Sequence, residues 1–342
     1  MKKVFALLLI LCLTISMAAC ETNETSDTKS TSGTAKSGET TSGASDKELW
    51  GKGFKIGVAA AHYTNAWNVT NTQDIVAAFE AIGAEVVWNE GNNDTATQIA
   101  NVEDLLAQDI DLLVIKPKEE EGLIPAFEQC QKAGVPIICI DRKVRDTSLY
   151  VTAIMTDNVA GGEMVGKWIM ENFPDGAKIV EITGTPGSTG QIERSRGLAN
   201  IIGGNSKYPI IANQSADNMR SKAQTVTENL IQTYGKDGID IIVTQNDEMA
   251  MGILQALDGL GIEPGKDIVV CSIGDANMEG VSEVAAGRIG CIYESTPYLG
   301  AQAVEIAYKV LVSKESVEKY IPSNNRFITI ENAEEELKNI TW

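Results

Sequence analysis

From Phe54 onward the chain repeats one unit, a short apolar run followed by a longer stretch whose apolar residues recur at helical spacing. The runs are Lys55 to Ala60, Glu85 to Trp88, Leu112 to Ile115, Ile137 to Ile140, Lys178 to Ile182, Ile210 to Asn213, Ile239 to Val243, Ile268 to Ile273, Gly290 to Ile292 and Phe327 to Ile330. Thr95 to Gln108 represents the stretches between them, with Ile99, Val102, Leu105 and Leu106 on one helical face. Runs that are apolar throughout, rather than alternating, belong to strands covered on both faces. Helical crossovers of one hand cover both faces in a parallel, doubly wound sheet. The runs are too many for one compact core, so the sequence predicts an α/β fold of two similar doubly wound parallel-sheet lobes. Leu149 to Ile154, followed by Met155-Thr156-Asp157-Asn158, is an additional extended segment and is expected to be the first crossing between lobes.

The runs end alike. Val135 to Ile140 stops abruptly at Asp141-Arg142, a carboxylate beside a guanidinium. In open α/β sheets ligands bind outside the carboxyl edge of the strands, so the residues at these ends are the candidate site. After the first run comes a loop dense in polar and aromatic groups, with His62, Tyr63, Asn65, Trp67 and Asn68. Trp67 reads either as a packing residue at a helix start or as a stacking face. The third run ends in Lys116, which either faces a ligand or is solvated. Gly184 to Gly190 invites a phosphate-loop reading, but no Lys follows its last glycine and GxGxxG spacing is absent, so a tight turn that admits Arg194 to the cleft fits better. Asn246, Asp275 and Glu294 close the later runs. Carboxylates, amides and guanidinium groups around an aromatic face suit a sugar, whose hydroxyls both donate and accept and whose C–H face is apolar.

Residues 1–19 carry two lysines, an apolar run from Val4 to Leu13 and then small residues, the layout of a secretory signal. Met17-Ala18-Ala19-Cys20 resembles the lipobox of bacterial lipoproteins, which implies a lipid anchor on Cys20. Residues 20–48 hold no large apolar residue and read as a flexible Ser, Thr and Gly-rich linker. The formal net charge of −19 argues against nucleic acid, whose binding needs clustered Lys and Arg. Cys130, Cys139, Cys271 and Cys291 lack CxxC spacing and read as buried small hydrophobes, with no disulfide predicted. His62 is the sole histidine, and no metal is expected.

Four segments together resemble the type I periplasmic sugar-binding proteins of ABC importers, the family of the ribose-, galactose- and galactofuranose-binding proteins. They are Val135 to Arg142, Thr156-Asp157-Asn158 with Gly161-Gly162, Glu193-Arg194 to Gly197, and Thr244 to Gly252. Pro264 to Ile268 and Glu294 to Pro297 are similar to the galactofuranose branch. The resemblance implies two Rossmann-like lobes joined by a three-strand hinge, with residues 49–154 and 296–324 in one and residues 155–295 and 325–342 in the other. It implies sugar contacts at Asn65, Trp67, Asp141, Arg142, Arg194, Asn246 and Glu294, and hinge positions at Asp157 and Asn158. Asn68 stands where that branch often has Arg, Asn218 where the family usually has a stacking Phe, and Gly274-Asp275 where it has Asp-Gly. These departures bear on which sugar is bound, and in which ring form, rather than on the class.

The implied protein is a monomer without cofactor, lipid-anchored outside the cytoplasmic membrane, which captures a monosaccharide by hinge closure and hands it to an ABC permease without breaking bonds. A receptor that reports a sugar or furanose-like signal to a sensor kinase is the alternative. A glycosidase using Asp141 and Glu294 is disfavoured because Arg142 would lower the Asp141 pKa. A dehydrogenase would need GxGxxG after the first strand, and a transcriptional regulator would carry a helix-turn-helix where this chain has leader and linker.

Overall fold

The computed structural model describes residues 49–342, so the leader, Cys20 and the linker lie outside the described residues. Two six-stranded sheets account for the repeated unit. The first contains β1 (Lys55–Ala60), β2 (Glu85–Glu90), β3 (Leu112–Ile115), β4 (Ile137–Ile140) and β5 (Thr152–Met155). The second contains β6 (Ile179–Thr183), β7 (Ile210–Ser215), β8 (Ile241–Thr244), β9 (Val269–Ile273) and β10 (Ile289–Tyr293). Late in the chain β11 (Tyr320–Pro322) returns to the first sheet and β12 (Phe327–Thr329) to the second. The strand orders are β11-β5-β4-β3-β1-β2 and β12-β10-β9-β8-β6-β7, parallel throughout except where β12 runs antiparallel to β10. In both sheets the order reverses beside the first strand, between β1 and β3 and between β6 and β8, which opens a crevice at each carboxyl edge.

Helices cover both faces of each sheet, as apolar strands demand. On the first lobe α1 (Ala66–Ala81) and α9 (Gly300–Tyr308) lie on one side, burying Ile75, Phe79 and Ile306 with Ile56 and Val114. On the other lie α2 (Thr95–Leu106) and α3 (Ile124–Ala133), with Val102, Leu105 and Phe127 against Leu113 and Ile115. On the second lobe α4 (Asn158–Asn172) and α5 (Thr189–Ile202) pack opposite α6 (Arg220–Tyr234), α7 (Asp247–Gly259), α8 (Met278–Ala285) and α10 (Ala333–Glu336). Cys130, Cys139, Cys271 and Cys291 are buried free thiols within these cores.

The segment expected to be the first crossing is instead a sheet strand. Leu149 ends a single 3-10 turn, and Thr152–Met155, buried on both faces, pairs with β4 and β11. The chain crosses just after it, at Thr156-Asp157. It crosses again between β10 and α9, and a third time between β11 and β12. The three crossings meet at one hydroxyl. Thr156 Oγ1 lies 2.8 Å from Ser295 Oγ, 3.3 Å from Ser323 Oγ and 3.3 Å from Asn325 Oδ1. Of the expected hinge pair, Asp157 caps α4 by accepting from the Ala160 N–H, and Asn158 opens that helix.

Close approach of α4 to α5 is set by glycine. A Cβ on Gly162 would stand 2.3 Å from the Arg194 carbonyl oxygen, and one on Gly197 would stand 2.1 Å from that of Val159. Backbone meets backbone there, with no flexible side chain to give way. Gly162→Ala is therefore expected to force the helices apart at a cost of about 1–3 kcal/mol, and a thermal melt checks it. An unchanged melting temperature would show that the pair spreads freely.

Candidate functional site

The carboxyl edges of the two sheets face each other across a small chamber lined from both lobes. From the first lobe come Asn65, Trp67 and Asn68 after β1, Lys116 after β3, and Asp141 and Arg142 after β4. Asn65 caps α1, its Oδ1 accepting from the Asn68 N–H at 3.0 Å and the Asn68 side-chain amide at 2.5 Å. Lys116 is the hub. Its Nζ donates to Asn68 Oδ1 and to Asp141 Oδ2, each at 2.8 Å, and stands 3.9 Å from the centre of the Trp67 ring. Trp67 in turn donates its Nε1–H to the Ser295 carbonyl at 2.5 Å, tying the loop to the second crossing. The indole is thus a cation–π partner as well as a wall.

Asp141 sits in the left-handed region at φ 60, and the Arg142 N–H closes a tight three-residue turn onto the Ile140 carbonyl at 2.6 Å. A non-glycine residue held there is strained, and such strain gathers at functional sites. Burial acts to raise the Asp141 pKa, but Lys116 and Arg142 outweigh it and hold the carboxyl below its usual range. Burial likewise pulls Lys116 down to about 8, against the opposing pull of Asp141. Arg142 donates Nη1–H to the Lys118 carbonyl at 2.9 Å, with its Nε 3.7 Å from Asp141.

From the second lobe come Arg194 on α5, Asn218 before α6, Gln245 and Asn246 after β8, and Asp275 after β9. Arg194 donates Nε–H to Asn158 Oδ1 at 2.9 Å and Nη1–H to the Gln245 carbonyl, so its guanidinium is aimed before any ligand arrives. Gln245 accepts from the Gly184 N–H at 2.9 Å and donates to Ser195 Oγ at 3.0 Å and to Glu181 at 3.1 Å. Asn246 caps α7 through Oδ1, accepting from the Met249 N–H at 2.9 Å. Asp275 also holds a positive φ, 74, and accepts from the Asp247 N–H at 3.1 Å. Burial raises the Asp275 pKa to about 6 despite Arg194. Behind it, Asp247 accepts from Ser272 Oγ at 2.8 Å and the Asn277 N–H at 3.0 Å, and burial together with the Asp275 charge pushes its pKa well up.

Three candidates face elsewhere. Glu294 does not line the chamber, because Arg326 holds both its carboxylate oxygens at 2.5 and 2.7 Å beside a separate cleft at the C-terminal tail. The pairing of Asp141 with Glu294 that a glycosidase would need is therefore not assembled. Tyr63 packs on Trp88, ring centres 5.2 Å apart, and accepts at its hydroxyl from Gln73. His62 lies behind Asn68, 3.3 Å from its amide, and burial with nearby Lys116 and Arg142 lowers its pKa to about 3. Sequence reasoning missed Gln245, Ser188, Gln191 and Ser295 as lining residues. Only Gln245 carried a signal, as an amide two residues past an apolar run and beside Asn246.

The lobes touch at the rim. Thr189 Oγ1 accepts from the Lys143 N–H and donates to the Lys143 carbonyl, each at 3.1 Å, and Lys143 Nζ meets Glu193 at 2.7 Å. The Glu120 N–H donates to the Gly187 carbonyl at 3.0 Å.

Two α/β lobes with their switch points opposed, laced by three crossings, define a two-lobed solute receptor of the type I periplasmic fold. The chain belongs to the periplasmic binding protein family, whose domain model matches residues 56–315. It is 33% identical over 265 residues to the ribose import binding protein of Bacillus subtilis (strain 168), covering 77% of this chain and 84% of that one. The crystal structure of a galactofuranose binding protein superimposes with a TM-score of 0.80 at 27% identity, covering 84% of this chain and 98% of the other. The fructose-binding periplasmic domain of a hybrid two-component system superimposes with a TM-score of 0.77 at 25% identity, covering 84% and 94%. These relatives are sugar-binding receptors rather than enzymes, and the family implies an exported protein.

Proposed function

We propose that this protein captures a monosaccharide by closing its lobes and delivers it to an ABC importer, tethered outside the cytoplasmic membrane through a lipid on Cys20. The observation that carries the reading is the opposition of Lys116, Asp141 and Arg142 on one lobe to Arg194, Asn246 and Asp275 on the other, around one chamber. Each side supplies charged and amide groups already oriented by neighbours, which is what bidentate contacts to adjacent hydroxyls require. The chamber measures about 40 Å3, far below the ~300 Å3 at which ligand pockets begin. Admission of a ring therefore requires the lobes to part, with Thr156 and its hydroxyl partners as the pivot and Asp157 and Asn158 moving with α4. A sugar that bridges both edges then favours the closed form. No step breaks a bond, and no cofactor takes part.

A second reading, a receptor feeding a sensor kinase, is supported by the likeness to the fructose-binding domain of a two-component system. Sugar recognition is common to both readings. A thermal-shift screen of neutral pentoses and hexoses tests it, since a ligand that binds only the native state raises the melting temperature. At 100 times its Kd the expected stabilisation is about 2.7 kcal/mol. The shift should vanish in Arg194→Ala. A hit whose shift survives that substitution would place the sugar elsewhere.

A further inference from the structure

The inner chamber continues outward. Past Asn65 and Asn218, one from each lobe, it adjoins a groove of about 330 Å3 at the mouth of the cleft, and these two residues line both spaces. The partition they form has unused hydrogen-bonding capacity. Asn65 Oδ1 is taken by Asn68, while its Nδ2 has no partner among the described residues. Asn218 donates to Thr185 Oγ1 at 3.0 Å, while its Oδ1 accepts no hydrogen bond among the described residues. One spare donor thus belongs to a residue that lines both spaces, and one spare acceptor, Asn218 Oδ1, lies over Gly184 on the chamber side. The passage is also kept narrow-walled by the backbone. Asp217 and Asn218 hold consecutive left-handed conformations, φ 55 and 57, which fold the Asn218 side chain down over Gly184, where even a Cβ would stand 2.4 Å from it.

The groove beyond has a defined chemistry. Met219, 44% exposed, presents an apolar surface, and Gln224 and Gln255 present amides. The Arg220 guanidinium is already held by two carboxylates, Glu248 and Glu279, at 2.6 to 3.3 Å, so its charge is more than offset and it is not free to hold a phosphate. An apolar patch flanked by amides complements a neutral polyhydroxylated ring.

We infer that the protein accepts, beyond a free monosaccharide, the same sugar carrying a second ring, as a disaccharide or glycoside, with its inner ring in the chamber, its bridging oxygen between Asn65 and Asn218, and its outer ring on Met219 and Gln255. This rests on the sugar-binding reading above. The bridging acetal oxygen accepts from Asn65 Nδ2, and a hydroxyl of the inner ring donates to Asn218 Oδ1.

Calorimetric titration of the full chain with free monosaccharides, and with methyl glycosides, 4-nitrophenyl glycosides and disaccharides of the same rings, tests the assignment. At least one disaccharide or aryl glycoside is expected to bind tenfold or more tightly than its free monosaccharide. A Met219→Ala, Gln255→Ala double variant should erase that gain while leaving the free monosaccharide within twofold. Binding of a monosaccharide with exclusion of all its glycosides overturns the outer subsite, as does a gain that survives the double substitution. Binding of neither class would remove the sugar reading itself, and the groove's role with it.

Discussion

Asp141→Ala is expected to weaken sugar binding by at least a hundredfold. The carboxylate does two things at once: it accepts from Lys116 at 2.8 Å and stands 3.7 Å from Arg142, and it lines the chamber. Truncation leaves two cations facing each other in a buried site with their common partner removed. The buried cations left unpaired lower stability, while the affinity loss comes from the hydrogen bonds the carboxylate would accept from the sugar, about 1.5–3 kcal/mol each; about 2.7 kcal/mol corresponds to a hundredfold in Kd. Lys116 responds as well. Burial has brought its pKa to about 8 against the pull of Asp141, so loss of that pull lowers it further and favours the neutral amine near pH 7. Asp141→Asn keeps the shape and one acceptor without the charge, and should fall between wild type and alanine. Calorimetric titration with whichever sugar the thermal-shift screen selects measures all three proteins. An alanine variant within threefold of wild type would mean that Asp141 serves only to anchor Lys116.

What the sequence disclosed, and what it hid, follows from the range of the forces involved. Strands such as Leu112–Ile115 and Ile137–Ile140 are legible because burial on both faces imposes an unbroken apolar run. Helical period, equally local, marked the layers around them. β11 left no such trace, since Tyr320-Ile321-Pro322 is an edge strand of three residues that ends in proline and is largely exposed. Because Thr152–Met155 follows a polar turn, it read as a connector, although pairing on both sides makes it an interior strand.

The site shows the same division. Asp141, Arg142 and Asn246 could be placed because each lies within three residues of the end of an apolar run, and chain direction alone puts them at the carboxyl edge. Glu294 also ends such a run, and only the distant Arg326 turns it away. Thr156 joins segments separated by as many as 169 positions, so no local pattern identifies it as the meeting point of the crossings. The left-handed backbone at Asp141 and Asp275 is equally hidden, because sequence advertises positive φ through glycine and here the residue is aspartate.

Asp275→Asn is expected to raise stability near pH 7 while abolishing sugar binding. Burial, with a smaller push from Glu248, outweighs Arg194, the Asp247 N–H and Lys116, which favour the Asp275 charge, and sets its pKa near 6, against 3.8 for an ordinary aspartate. The sign follows from proton counting. Between about pH 4 and 6 the folded protein holds a proton here that the unfolded chain has lost, so this group's contribution declines as pH rises through that window. Above pH 6 the full cost remains, on the order of 3 kcal/mol for a displacement of about two pH units. A neutral amide at this position avoids the charge and also relieves Asp247, whose own pKa is pushed up by burial and the same neighbour. The melting temperature of the variant should therefore exceed that of wild type at pH 7.5, and the gap should close as pH falls toward 4. Binding moves the other way. A sugar hydroxyl that donates to the ionised carboxylate selects that form, so wild-type affinity should fall by up to tenfold per pH unit below 6. A carboxylate retained at a cost to the fold because the ligand needs it is the stability–function trade-off expected of a binding site. Titrations from pH 7.5 to 5 that gave a flat Kd, together with a variant no more stable than wild type, would relegate Asp275 to the support of α7 alone.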